Sequence, residues 1–235
     1  MKEVFMNQTR QLTNSSGNHT VQICLNESSQ VDLVTGYIKD GLLNEEAVIV
    51  IAKPALRQIL KSKMDALCFD GQFLKDQDQI KFFDAEFLLS NLISDGILEE
   101  KVFQEYVAAP IYNAQSNYKK ARAFGEMVDI LWKQDQHDMA IQLEGFWKNL
   151  TSTQELTFLC TYSLDKLDPD SYDNALEHIC KYHSHLAPQE DSYSIEPGMG
   201  GVMLSVFGEA WNRVISKFSD SQKISTQIQS TPTIT

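Results

Sequence analysis

Basic residues are scarce in this chain. Its 235 residues include 20 Lys and Arg against 32 Asp and Glu, which gives a formal net charge of −12 at pH 7. A protein that binds phosphate backbones needs a concentrated basic face, and the densest local cluster here is only Lys119, Lys120 and Arg122. We therefore expect no direct nucleic-acid partner.

Long hydrophobic runs and paired cysteines are also missing. The first 17 residues are polar and lack the apolar core of a signal peptide, and no later run is long enough to cross a bilayer. The four cysteines, Cys24, Cys68, Cys160 and Cys180, form no C-x-x-C pair. This usage is typical of reduced, mostly buried thiols, and it predicts a cytoplasmic protein without a membrane partner.

The common catalytic motifs are absent as well. A phosphate-binding loop, G-x-x-x-x-G-K-[ST], would follow the first strand, but residues Asn26 to Gln30 read N-E-S-S-Q. The G-M-G-G run at Gly198 to Gly201 lacks the strand and helix context of such a loop, and we interpret it as a connector. Because G-x-S-x-G and H-E-x-x-H are also missing, the sequence predicts a protein that is not an enzyme.

Strand and helix patterns alternate along the chain. Each Val- and Ile-rich segment is followed by a helical pattern, which predicts a three-layer α/β sandwich with a mostly parallel central sheet of about five or more strands. The predicted strands are Thr20–Leu25, Ala47–Ala52, Gln79–Asp84, a short strand that delivers Gly125 and Glu126 into a helix, and Leu156–Leu164. The predicted helices are Ser29–Gly41, one that begins at Pro54, one over A-E-F-L-L-S-N-L-I after the third strand, Lys101–Tyr118 with a kink or break at Pro110, two that follow Glu126, and Pro169 to about His185.

The ends of the chain differ in composition from the α/β pattern. We predict a flexible segment over residues 1–17, the main domain over 18–186 and a Pro-, Gly- and acid-rich loop over 187–201. Residues 202–218 have the spacing of an amphipathic helix that docks on the domain or on a partner chain. The Ser-, Thr- and Gln-rich residues 219–235 predict a disordered tail.

Polar residues follow several of the predicted strands. Carboxyl ends of parallel strands share one edge of a sheet, so residues distant in sequence can line one crevice there. These residues are Glu27, Lys53, Glu86, Glu126, Thr161 and Tyr162. Two carboxylates would favour a cation or hydrogen-bond donors. The alternative for Glu27 and Glu126 is that each is an ordinary helix N-terminal acid stabilised by the helix dipole.

Residues His178 to His185, H-I-C-K-Y-H-S-H, are dense in imidazoles and include a thiol. Such donors suit zinc or another transition metal. On a helix, however, Cys180 lies about 160° from His178, so only the i, i+7 pair His178 and His185 shares a face. We favour the other interpretation, a helix end whose histidines lie near the C-terminal dipole.

Aromatic residues at Trp132, Phe146 and Trp147 have helical spacing. This spacing favours core packing, with the aromatic wall of a small-molecule pocket as the alternative for any one of them. Cys24 and Cys160 are likewise more typical of small buried apolar residues than of ligands.

Five motifs occur in one order along the chain. They are N-H-T-V-Q from Asn18, E-E-A-V-I-V-I-A from Glu45, R-A-F-G-E-M with a following L-W, L-E-x-x-W from Leu143, and L-C-x-Y from Leu159. Together they resemble the MEDS family, the methanogen/methylotroph DcmR-type sensory domain, which is related to the RecA/KaiC-like fold. The resemblance covers about Asn18 to Leu186.

The resemblance implies a sensory module that binds a small molecule and passes a conformational signal to a protein partner or within a homo-oligomer. It also implies that His19 and Cys160 contact a ligand or a metal. The family tends to continue its first motif with F-Y-E, whereas Gln22 is here followed by I-C-L-N-E, so Glu27 would take the acidic role.

The resulting prediction is a regulatory, ligand-sensing domain of a signal-transduction or transcription-control system. The cofactor is not identified by the sequence. A degenerate RecA-like nucleotide-binding protein or ATPase with Glu126 as general base, and a pure assembly module, are the alternatives. The predicted ligand-binding residues are His19, Gln22, Glu27, Gly125, Glu126, Trp147, Cys160 and Tyr162, and the metal candidates are His19, Cys160, His178 and His185.

Overall fold

A computed structural model of the chain describes residues 19–24, 26–69, 79–118, 120–163, 182–183 and 185–186. The predicted flexible segment 1–17, loop 187–201, helix 202–218 and tail 219–235 lie outside the described residues, as does most of the helix predicted from Pro169.

The described residues form eight strands and seven α-helices. The strands are β1 (His19–Cys24), β2 (Ala47–Ala52), β3 (Ile80–Asp84), β4 (Ile93–Ser94), β5 (Ile97–Leu98), β6 (Ala121–Gly125), β7 (Leu156–Ser163) and β8 (His185–Leu186). The helices are α1 (Glu27–Leu43), α2 (Pro54–Phe69), α3 (Ala85–Leu92), α4 (Glu100–Phe103), α5 (Ala109–Gln115), α6 (Met127–Lys133) and α7 (His137–Thr153).

Six strands make one sheet in the order β3-β2-β6-β7-β1-β8, and every pairing within it is parallel. Parallel neighbours need crossover connections, and the helices supply them. The predicted class, a mostly parallel sheet in an α/β sandwich, is confirmed, and the five long predicted strands agree with β1, β2, β3, β6 and β7 to within a residue or two.

Each face of the sheet is covered by its own helices. Alternate side chains of β2 point to opposite layers, as the strand period requires. Val48 and Val50 pack with residues of α1 and α2, whereas Ile49 and Ile51 pack with residues of α3 to α7. The β2 run has no polar position because both of its faces are buried.

The first helix begins slightly before its predicted start. Asn26 is the N-cap: its side chain accepts a hydrogen bond from the Ser29 backbone N–H at 2.9 Å, and the Ser29 hydroxyl lies 3.3 Å from the Asn26 N–H. This reciprocal capping box satisfies two backbone N–H groups at the start of the helix. The second helix begins at Pro54, as predicted.

The helix predicted over Lys101 to Tyr118 is interrupted, though by a different device than a kink at Pro110. A π-helical turn, Gln104–Ala108, lies between α4 and α5, and the Ala109 N–H donates to the Gln104 carbonyl five residues back. Pro110 has no N–H and cannot donate an i to i−4 hydrogen bond. The π-helical turn immediately before it uses i to i−5 hydrogen bonds instead. The short hairpin of β4 and β5 was not predicted, and its turn places Asp95 and Gly96 at φ 50° and 76°, as a type I′ turn requires.

The strongest basic cluster in the sequence is partly a core feature. Arg122 is fully buried: its Nε donates to a Glu46 carboxylate oxygen, its Nη1 donates to the Tyr37 carbonyl at 2.8 Å, and its guanidinium lies over the Tyr37 ring.

No helix among the described residues has both the length and the apolar character needed to cross a membrane.

Candidate functional site

Two polar clusters lie on opposite faces of the sheet, and β7 contributes to both. Thr161 faces the α1 side, whereas its neighbours Cys160 and Tyr162 face the α7 side, because successive strand residues alternate. The polar residues that the sequence analysis assigned to one crevice therefore belong to two separate clusters.

The first cluster consists of Gln30, Lys53, Glu126 and Thr161, and we call it the strand-end cluster. The Lys53 backbone N–H donates to Glu126 Oε2 at 2.6 Å, and its ammonium lies 3.5 Å from Glu126 Oε1. The Gln30 amide donates to Thr161 Oγ1 at 2.9 Å and lies 3.4 Å from Glu126 Oε1. One carboxylate thus joins the first turn of α1 to the ends of β2 and β6, with β7 linked through Gln30.

Glu126 is 1% exposed, so its position differs from that of an ordinary helix N-terminal acid. Burial raises the pKa of Glu126, and the nearby Lys53 charge and N–H partly oppose that shift. The Cys24 thiol lies close enough to be affected: burial, followed by the charges of Asp129 and Glu126, raises its pKa to about 12. A raised pKa disfavours the reactive thiolate form of Cys24 at neutral pH.

The other predicted crevice residues have different positions. Gln22 is buried in β1, directly opposite Thr161 in the register, and so borders the strand-end cluster. Glu27 and Glu86 are exposed in the first turns of α1 and α3, where their charges suit the helix dipole. The dipole interpretation thus fits the exposed position of Glu27, whereas Glu126 is buried and accepts a hydrogen bond from the Lys53 N–H. The predicted ligand contact of either residue stays a prediction.

The second cluster consists of His19, Glu144, Cys160 and His183, and we call it the histidine–cysteine cluster. His19 Nε2 lies 3.3 Å from Cys160 Sγ and 3.1 Å from Glu144 Oε2. His183 Nε2 lies 3.5 Å from Glu144 Oε1. All four side chains are buried, and one ligand atom from each lies within 4.8 Å of the others.

Aromatic residues surround this cluster. The Tyr162 hydroxyl donates to Glu144 Oε1 at 2.5 Å, and the imidazoles of His19 and His183 lie with ring centroids 4.1 Å apart. Phe158 contacts His19 at a centroid distance of 5.1 Å and is stacked on Trp147 at 3.7 Å. Trp147 is fully buried, which agrees with its predicted place in the core, one ring away from His19.

Burial disfavours the charged forms of His19, Glu144 and Cys160. It lowers the pKa of His19 to about 3, although a hydrogen bond with the Tyr182 backbone opposes the shift, and it raises the pKa values of Glu144 and Cys160. The short contact between His19 and Glu144 is therefore a hydrogen bond to a neutral ring and not an ion pair.

Gly125 has a packing role. A Cβ atom built on it would lie 2.7 Å from Phe158 Cζ, so any larger residue here would have to displace this ring. The residue that was predicted as a ligand contact thus supports the aromatic wall of the histidine–cysteine cluster.

Sequence reasoning did not select Glu144 or His183 as site residues. Glu144 belongs to the L-E-x-x-W motif, and it lies three residues before Trp147 on the buried face of α7, where an acid is unusual. The predicted extension of a helix to about His185 is wrong, since His183 is not helical and His185 is in β8. His178 and His185 therefore do not share a helix face as the i, i+7 spacing predicted. His178 and the side chain of His185 lie outside the described residues.

The fold and the two clusters define an α/β protein with a parallel central sheet, two buried polar clusters and the sequence N-E-S-S-Q where a phosphate loop would precede α1. The chain belongs to the MEDS family, described as the methanogen/methylotroph, DcmR sensory domain, whose family model matches residues 18–184. Comparison with curated proteins and with solved structures finds no match. Family membership makes the chain a sensory domain.

Proposed function

We propose that the chain is a non-catalytic regulatory domain that binds a small molecule at the strand-end cluster and signals through a change of conformation. The contacts of the Glu126 carboxylate support this proposal most directly. Its buried carboxylate is shared by the N–H and the ammonium of Lys53 and approached by the Gln30 amide.

In the strand-end cluster, a ligand can compete with the side chain of Lys53 for the Glu126 carboxylate. A small molecule with hydrogen-bond donors can replace the Lys53 ammonium, which is one-third exposed, while the Lys53 backbone N–H keeps its hydrogen bond to Glu126. Losing the ammonium contact loosens the start of α2, and moving the Gln30 amide displaces the first turn of α1. A ligand that prefers the displaced arrangement shifts the population towards it.

A nucleotide-binding function is less well supported. The N-terminal turn of α1 lies where a RecA-like protein would hold phosphates, but its capping box uses the Ser29 N–H for the Asn26 side chain. The buried negative charge of Glu126 lies near the same end of the sheet and disfavours a phosphate.

The first experiment is native mass spectrometry of the full-length chain, followed by denaturation of the same sample to identify any organic molecule that it releases. We expect about one retained molecule per chain, lost in Glu126→Gln. The matched control is Glu105→Gln, an exposed acid of the π-helical turn, which should retain the molecule.

Backbone amide NMR with the released molecule then tests the site. Shifts at Gln30, Lys53 and Glu126 would support the proposal, and shifts confined to other parts of the fold would contradict it. Hydrolysis of ATP that disappears in Glu126→Gln would also contradict it, because the chain would then be an enzyme.

A further inference from the structure

The histidine–cysteine cluster brings together side chains from four separate segments. His19 comes from β1, Cys160 from β7, Glu144 from α7, and His183 from the residues just before β8. We propose that these four side chains bind one transition-metal ion and that Zn²⁺ is the ion best suited to them. This inference is independent of the strand-end cluster, which lies on the other face of the sheet.

The distances between the donor atoms fit a tetrahedral site. Zinc bonds to N, O and S are about 2.0–2.3 Å long, so tetrahedral geometry separates neighbouring donor atoms by roughly 3.3–3.8 Å. The separations here are 3.3 Å for His19 Nε2 and Cys160 Sγ, 3.1 Å for His19 Nε2 and Glu144 Oε2, and 3.8 Å for Cys160 Sγ and Glu144 Oε2. His183 Nε2 lies 3.5 Å from the other Glu144 oxygen. All four donor atoms lie within 4.8 Å of one another, so coordination by all four requires His183 and the other donors to draw together to the tetrahedral separations.

The donor set also balances charge in a buried place. One thiolate, one carboxylate and two neutral imidazoles cancel the charge of a divalent cation, so the loaded site carries no net charge. Without a cation, a thiolate and a carboxylate 3.8 Å apart would repel in the protein interior. Imidazole and thiolate donors prefer Zn²⁺ over Mg²⁺ or Ca²⁺, which take oxygen ligands.

The surrounding residues hold the donors in position. Tyr162 donates to Glu144 Oε1 and so orients the carboxylate, which is the usual role of a hydrogen bond to a metal ligand. Phe158 and Trp147 form an apolar wall beside His19. Such a wall keeps water from the site and strengthens the bonds to the ion.

An ion in this place would connect an edge strand to the core. β8 pairs with β1 through only two residues, and His183 lies two positions before it. Coordination by His183 would tie the start of β8 to β7 and α7 through His19, Glu144 and Cys160. Metal binding would thus stabilise the folded chain, and the stabilisation would grow with the logarithm of the free metal concentration once that concentration exceeds Kd.

The test begins with metal analysis of full-length protein purified without chelators, for which we expect about one zinc per chain. The apo protein, prepared with a chelator, is then titrated with Co²⁺. A tetrahedral site with one thiolate predicts intense visible ligand-field bands and a near-ultraviolet thiolate-to-cobalt charge-transfer band.

Three variants assign these signals. Cys160→Ser should lose the charge-transfer band, whereas the matched control Cys24→Ser, which removes another buried thiol of the same sheet, should keep it. Tyr162→Phe keeps all four donors and should weaken Co²⁺ binding about 10- to 100-fold.

Several results would overturn the inference. They are a wild-type chain that carries no metal and takes up no Co²⁺, a Co²⁺ spectrum without a thiolate band, and a spectrum that Cys160→Ser leaves unchanged. If Cys160→Ser does not fold, an unaltered Co²⁺ affinity of Tyr162→Phe would still refute the site. Loss of the organic ligand in Glu126→Gln with zinc retained would separate this inference from the proposed function.

Discussion

Gly125→Ala tests whether this glycine is required for packing. The added Cβ would lie 2.7 Å from Phe158 Cζ and 3.0 Å from Cε2, and Phe158 has little freedom to move because it is stacked on Trp147 at 3.7 Å. Overpacking of this kind costs about 1–3 kcal/mol of unfolding free energy. The unfolding equilibrium constant should rise by roughly 5- to 150-fold, since about 1.4 kcal/mol corresponds to a factor of ten.

Urea unfolding followed by circular dichroism measures this change. Gly36→Ala in α1 is the matched control: no atom lies within 4 Å of its added Cβ, so it should stabilise the chain by about 0.5–1 kcal/mol as a helical Gly→Ala change. In a Phe158→Leu background the penalty of Gly125→Ala should shrink, because the clashing ring is gone. An equal penalty with and without Phe158 would refute the packing argument, as would a neutral Gly125→Ala.

Three further predictions concern buried polar groups. Arg122→Met leaves the Glu46 carboxylate buried without its partner, so it should lower the free energy of unfolding in urea by about 3–5 kcal/mol. The control Lys63→Met removes an exposed ion pair and should lower it by at most about 1 kcal/mol, and equal losses would contradict the prediction. The pKa of Glu126 is higher in the folded chain than in the unfolded chain, so its contribution to stability is greatest below the unfolded-state pKa and declines as pH rises through the folded-state pKa. Glu126→Gln should flatten this decline of the unfolding free energy with pH, and an unchanged pH profile would contradict the prediction. Because burial raises the pKa of Cys24 to about 12, iodoacetamide at pH 8 should alkylate Cys24 much more slowly in folded than in urea-unfolded protein, as peptide mass spectrometry can measure.

The main strands could be predicted because both faces of the sheet are buried. A run such as A-V-I-V-I-A in β2 has no solvent-facing position, so its apolar character is continuous and easily recognised. The order of the strands could not be predicted, since β1 lies beside β7, more than 130 residues away, and local patterns do not specify such pairings. The D-G turn between β4 and β5 carried a usable local signal, but each of these strands is only two residues long.

The candidate sites could be predicted only in part. Glu126 was recognisable because it follows a strand directly, and the resemblance to the family pointed to His19 and Cys160. Their approach to 3.3 Å depends on the parallel pairing of β1 with β7. Glu144 and His183 come from a helix and from the residues before an edge strand, so only the assembled fold brings them to the same place.

The alternation of β7 explains why a short motif contributes to two clusters. In L-C-T-Y, Cys160 and Tyr162 point to the histidine–cysteine cluster, while Thr161 points to the strand-end cluster, so no residue between them can be inserted or deleted without exchanging the two faces. The neighbouring strand β1 repeats the arrangement with His19 on one face and Gln22, opposite Thr161, on the other. The spacing of the motif thus follows from the strand period, and the geometry of each cluster depends on the same register between β1 and β7.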